Sequence, residues 1–142
     1  MLPYPNHGTH LVIEMREIPF TKMHGIGNDF VLIDDRVQKL KDQYSNLSKN
    51  ICDRYKGIGA NGLIILQDSL SNDYLMRMFN PDGSEAETCG NGLSCLVKYL
   101  ADNNLMMTSG VKLETIVGEV EAELLENSEI SAKVKINMGA PV

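Results

Sequence analysis

No stretch of the chain holds the run of about 18 apolar residues that a membrane-spanning helix needs, so no transmembrane segment is expected. The first residues lack a basic start and a long apolar middle, so they do not form a secretory signal. Cysteine is scarce and odd in number, three in all, which excludes a full disulfide framework. Without an export signal, free thiols and a cytoplasmic location are expected. Basic residues are outnumbered, 13 against 19 acidic, for a net charge of −6. They are also spread out; the densest grouping is the sparse pair Lys39 and Lys41. Nothing concentrates positive charge against phosphates, which argues against a nucleic-acid partner. Internal repeats and low-complexity segments are lacking too.

What is present suits a soluble globular protein with one domain and one core: 142 residues, 43% apolar and 23% charged. Residues 1–14 show no clear period and read as a tail or a start-site artefact, because Met15 opens a more regular stretch. From Ile18 short apolar runs alternate with turn signals. Ile18 to Lys22 reads as a strand, His24 to Asp29 as a turn, and Phe30 to Ile33 as a second strand. Leu47, Ile51 and Tyr55 recur at helical spacing. Ser45 or Asn46 could cap that helix, and Gly57 could stop it. Leu63 to Leu66 and Tyr74 to Phe79 read as strands, with Asn80-Pro81-Asp82-Gly83 a turn. Leu93, Leu96, Val97 and Leu100 form a second helical stripe. Strands return at Val111–Val117, Val120–Leu125 and Ile130–Met138, with a hairpin at Gly118-Glu119. Regular strand–helix alternation is missing, so the expected class is α+β, a mainly antiparallel curved sheet packed on the Leu93–Leu100 helix.

Three stretches could carry chemistry. Cys89-Gly90-Asn91-Gly92 stands where the second helix begins. Unpaired backbone N–H groups and partial positive charge there favour a thiolate and can cradle a carboxylate. The glycines on either side of Asn91 let a ligand approach the backbone. On position and composition alone, the bland reading of Cys89 as a small buried residue at a helix cap outweighs the functional one. Gly57-Ile58-Gly59-Ala60-Asn61-Gly62 fits G-x-G-x-x-G, but a helix precedes it and a strand follows. That order is the reverse of a dinucleotide loop, so it reads as a tight loop. Asn28, after His24-Gly25-Ile26-Gly27, could offer both donor and acceptor to a zwitterion, or could merely supply a turn residue. Metal binding finds no support. Cys89 and Cys95 would lie about 240° apart around a helix, and no Cys/His spacing completes a zinc set. Cys52 and Cys95 read as core thiols, and Met76 and Met78 as core filling on one strand face.

Phe20–Phe30 (FTKMHGIGNDF), Asp53–Ile64 (DRYKGIGANGLI) and Met76–Cys95 (MRMFNPDGSEAETCGNGLSC) resemble diaminopimelate epimerases, in order and in separation. The likeness spans nearly all of residues 16–141, including the closing INMGAP. It implies a barrel-like sheet wrapped round a central helix, one of two pseudo-repeated domains, with residues 15–142 as the N-terminal one. It implies Cys89 as one of two acid/base thiols, no cofactor, and diaminopimelate as the small-molecule substrate. Asn28, Asn80, Gly90 and Asn91 match positions that hold the substrate's carboxylate or its unreacting end. Gly62 matches a substrate-near position that varies in the family. Asn61 stands where the family often has Asp, and Ser94 where it commonly has Arg. The second thiol would belong to a second domain beyond Val142, so the chain alone is expected to be inactive. The open cleft face would favour self-association, a homodimer being one way to cover it. Two alternatives are a proline racemase-like or phenazine-pathway enzyme of the same fold, and a non-catalytic remnant or interaction module. The Cys89 thiol and the longer match speak for the epimerase.

Overall fold

The computed structural model describes residues 10–13 and 16–137. Its elements are β1 (His10–Ile13), β2 (Arg16–Pro19), β3 (Thr21–Gly25), β4 (Asn28–Asp34), α1 (Tyr44–Cys52), β5 (Gly62–Gln67), β6 (Tyr74–Phe79), β7 (Glu85–Ala86), α2 (Gly90–Asp102), β8 (Gly110–Thr115), β9 (Gly118–Asn127) and β10 (Ala132–Asn137). The main sheet runs β10-β9-β8-β6-β5-β4-β3, with β7 beside β6. It is mixed: β4 with β5 and β6 with β8 are parallel, and its other neighbours are antiparallel. Each parallel pair is joined through a helix, α1 in one case and α2 in the other, as parallel neighbours require. The sheet expected to be mainly antiparallel is thus a mixed one in which five of the seven pairings are antiparallel. The sheet is curled, and α2 touches both of its edge strands, β3 and β10.

Burial on both faces explains the uninterrupted apolar runs. On one face Phe30, Leu32, Ile64, Leu66, Met76 and Met78 meet Leu93, Leu96, Val97 and Leu100 of α2. On the other, Val31, Ile33, Leu63, Ile65 and Phe79 meet Tyr44, Leu47, Ile51 and Cys52 of α1. The strand period of two thus sends alternate residues to different helices. Leu93, Leu96 and Leu100 are fully buried, and each contributes about 1.5–3 kcal/mol by leaving water.

Several boundaries differ from the sequence reading. Within the segment read as a tail or start-site artefact, His10–Ile13 form β1, paired antiparallel with β2; residues 1–9 and 14 lie outside the described residues. The strand expected at Ile18–Lys22 is split at Phe20, a buried residue between β2 and β3. Helix α1 is capped by neither Ser45 nor Asn46 but begins after Gln43, without a side-chain cap. It ends at Cys52, not at Gly57, because Asp53 turns extended and its Oδ1 accepts the N–H groups of Tyr55 and Lys56. That side-chain turn competes with the helix and leaves Tyr55 95% exposed rather than on the apolar stripe. The β8–β9 hairpin turns at Ile116-Val117, with Thr115 opposite Gly118, not at Gly118-Glu119.

Candidate active site

Cys89 is the N-cap of α2, with extended backbone angles of φ −107° and ψ 161°. Its Sγ accepts the N–H of Gly92 at 3.4 Å, and its carbonyl accepts Leu93 N–H at 2.9 Å. The thiol thus takes up the Gly92 N–H, and the remaining N–H groups of the first turn, with the positive dipole end, favour an anion. Cys89 is exposed, whereas Cys52 and Cys95 are buried. Burial pushes both of the latter thiols up to about 11. The bland reading of Cys89 as a buried cap residue is therefore excluded by its exposure.

The two glycines around Asn91 differ. A Cβ built on Gly90 meets nothing within 4 Å, so the space over it is open. A Cβ on Gly92 would come within 2.9 Å of Met78 Sδ and 3.4 Å of Met76 Cε. Gly92 thus lets α2 pack closely on β6, while Gly90 leaves the backbone accessible from outside.

The register gathers the other sequence-derived positions at one end of the sheet. Asn28 closes the β3–β4 hairpin opposite Gly25. Gly62 pairs with Phe30, and its α-carbon lies so close to Phe79 O and the Phe30 ring that a Cβ would approach to 3.3–3.4 Å. Phe79 pairs with Leu63, and Asn80 follows it directly. Asn80 Nδ2 donates to Ser84 Oγ at 3.0 Å, and Asn80 O accepts from Ser48 Oγ at 3.0 Å, so this turn is tied to α1. Gly83 supplies the positive φ of 91° that the turn needs. Asn91 meets the hairpin through Nδ2, which donates to Ile26 O at 3.0 Å. His24 is exposed on β3.

A knot of charge missed by sequence reasoning lies beneath the same hairpin. Arg54 grips Asp29 with both terminal nitrogens, at 2.8 and 3.1 Å. Lys22 Nζ lies 2.9 Å from Asp29 Oδ2 and also donates to Gly59 O. Asn61 Oδ1 accepts Asp29 N–H at 2.9 Å, while Asn61 N–H donates to Asp29 O at 2.9 Å. Asn61 is therefore structural, and its amide avoids placing a second carboxylate beside Asp29. The Arg54 guanidinium first, and then Lys22, hold the Asp29 carboxylate well below its usual range. Asp29→Asn is expected to cost about 1 kcal/mol at neutral pH, a modest figure because Arg54 is 55% exposed and solvent screens it. The lowered pKa sets the sign: the contribution is full above the unfolded value of about 3.9 and fades as pH falls through the folded value. Urea midpoints for the two proteins should converge as the pH drops below 4, and a gap independent of pH would refute the assignment.

Among the described residues, no group of three or more His, Cys, Asp or Glu side chains could hold a metal ion, and no helix is long and apolar enough to cross a membrane. Two open surface hollows, about 570 Å³ over β8 and β9 and about 320 Å³ beside α1, are lined by none of Asn28, Gly62, Asn80, Cys89, Gly90 and Asn91. Cys89 lies instead on an open face.

Comparison with known proteins gives the face a context. The chain is 43% identical over 127 residues to the diaminopimelate epimerase of Halothermothrix orenii, covering 88% of this chain and 44% of that protein. It is 45% identical over 124 residues to the diaminopimelate epimerase of Caldanaerobacter subterraneus subsp. tengcongensis, covering 87% and 44%. The chain thus spans less than half the length of these relatives. Among solved structures it is similar to a probable proline racemase from Agrobacterium radiobacter, with a TM-score of 0.65, 16% identity, and coverage of 84% of this chain and 41% of that one. It is likewise similar to a phenazine biosynthesis protein of the PhzF family from Bacillus anthracis, with a TM-score of 0.64, 19% identity, and coverage of 84% and 38%. These likenesses carry the fold alone. The family model for diaminopimelate epimerase matches residues 20–142, and together with the two relatives above it shows that the chain belongs to the diaminopimelate epimerase family.

Proposed function

We infer that this chain supplies one half of the active site of a cofactor-independent amino-acid epimerase acting on LL-diaminopimelate. The observation that carries the reading is Cys89: an exposed thiol capping the start of α2, beside the open space over Gly90, in a member of this family. Inverting an α-carbon requires taking its proton from one face and returning one to the other. The Cys89 thiolate would act on one face, and a thiol from a second domain of the same barrel-round-a-helix design would act on the other. The roles exchange with the direction of reaction, so each turnover leaves one thiol and one thiolate. The N–H groups of Gly90 and Asn91 would hold the α-carboxylate and, in a closed and dry cleft, stabilise charge spreading onto it from the carbanion. Asn28 and Asn80 would read the unreacting end of the substrate, with Gly62 beside them.

A single domain leaves the second face of the substrate uncovered, so the isolated chain is expected to be inactive. Its uncovered face would take a second domain, or a second copy of the chain. The cytoplasm is the proposed compartment, since a thiol pair of this kind must stay reduced. The test is a chimera that joins residues 16–142 to the C-terminal part of the Halothermothrix orenii relative. Solvent deuterium should enter the α-carbon of diaminopimelate with the chimera, and not with its Cys89→Ser variant or with the chain alone. An inactive chimera, or one that tolerates the loss of Cys89, would overturn the reading.

A further inference from the structure

Asn91 sits in the first turn of α2, two residues after the thiol, and its side chain reaches the β3–β4 hairpin. Its Nδ2 donates to the carbonyl of Ile26 at 3.0 Å, across 65 positions of sequence. The contact is tight: a Cβ on Gly25 would lie 2.9 Å from Asn91 Cβ and 3.2 Å from Asn91 Cγ. Gly25 and Asn28 are the closing pair of the β3–β4 hairpin, and Ile26 and Gly27 form its two-residue turn. Gly27 takes φ 73°. The side of the hairpin facing α2 is therefore shaped to receive the Asn91 amide. Asp29, one step behind the closing pair and opposite His24, is held separately by Arg54, Lys22 and Asn61.

We propose that Asn91 is a positioning residue, a strut that fixes the turn bearing Asn28 to the start of α2. Its side-chain amide holds Ile26 O, while its backbone N–H stays at the open helix end. The distance between the group that would read one end of a ligand and the helix start that would hold the other is then set by this one side chain and by the absence of a Cβ at residue 25. Asp29 anchors the hairpin one step behind its closing pair, and the Asn91 amide restrains the turn itself, starting two residues from the thiol. Binding at the tip and placement of Cys89 are coupled through it. The geometric part stands on the structure alone; the ligand part rests on the epimerase reading above.

Asn91→Asp tests both parts, because it keeps the shape and removes the donor. In the 142-residue chain, amide NMR signals of Gly25, Ile26, Gly27 and Asn28 should move, while those of β5 and β6 stay in place. Unmoved turn signals would overturn the strut, whatever the function of the protein. In the active chimera, Asn91→Asp should lower kcat/KM by about tenfold, the worth of one lost hydrogen bond with its acceptor left unpaired. Combined with Asn28→Ala, it should lower kcat/KM by less than about twofold further, since a strut acts only through what it holds. Additive losses would overturn the coupling, because a residue that merely supports the fold, or that binds ligand independently, would add its full effect. An inactive chimera removes the epimerase reading and the coupling that depends on it, and leaves the strut to be decided by the NMR result. Gly25→Ala should reproduce the Asn91→Asp shifts at Ile26 and Gly27 by pushing the amide away, which guards against an effect of the new charge alone.

Discussion

Iodoacetamide added to the folded chain at pH 8 should label Cys89 at least about a hundredfold faster than Cys52 or Cys95, as read by peptide mass mapping. Alkylation requires a thiolate that the reagent can reach. Cys52 and Cys95 are only 2% and 5% exposed. Burial is the main cause of their raised values, and for Cys95 the neighbouring Cys89 adds to it. A thiol held at about 11 is ionised in roughly one molecule per thousand at pH 8. Cys89 lies in the open at a helix start, where its sulfur accepts the weak Gly92 N–H contact. Raising the pH toward 11 should narrow the ratio, because the buried thiols then begin to ionise. Concentrated urea should erase it, because burial is lost. Equal labelling of the three thiols in the native protein would remove the basis for assigning chemistry to Cys89.

Gly57→Ala should destabilise the fold by about 3 kcal/mol, seen as a large fall in the urea midpoint. The loop after α1 folds back on the helix and satisfies its last carbonyls: Gly59 N–H reaches Ile51 O at 2.9 Å, and Ala60 N–H reaches Cys52 O at 3.2 Å. A Cβ on Gly57 would stand 2.0 Å from Asn50 O and 2.7 Å from Ile51 O. Both obstacles are helix backbone, so no side chain can rotate aside. The loop must swing out, and the helix end then loses its partners as well as its packing. The same loop carries Asn61 and leads into Gly62, so disorder there would spread to the hairpin anchored by Asp29. Gly90→Ala is the control. Its Cβ enters open space, and the urea midpoint should change by less than about 0.5 kcal/mol in equivalent stability. A mild effect of Gly57→Ala would mean that the return loop is looser than its geometry indicates.

Much of this molecule could be read along the chain. Phe30–Ile33 and Leu63–Leu66 declared themselves as strands through uninterrupted β-branched and aliphatic residues, and the Leu93–Leu100 stripe declared α2. The Cys-Gly-Asn-Gly loop was legible because a helix start with flanking glycines is a local arrangement, and the three matched stretches pointed to the family. The helix-before-loop order also sufficed to reject a dinucleotide fold for Gly57–Gly62, since α1, loop and β5 follow in that order. Failures were local too where side chains compete with backbone. Asp53 ended α1 early by accepting two N–H groups, and Tyr55 lost its place on the apolar stripe although its spacing was correct.

What the sequence by itself determined was each segment's own tendency: which runs are strands, which stripe is a helix, and that a thiol stands where a helix begins. Tertiary structure alone decided which strands run parallel, that the apolar strands feed two cores on opposite faces, and that Asp29, Arg54 and Asn61 form one knot. It also decided that Asn91 holds Ile26. The reason is the range of the forces involved. Propensity, capping and turn chemistry act over a few residues, whereas these contacts join positions 25, 32 and 65 apart, and only packing against a shared core brings such partners within hydrogen-bonding distance.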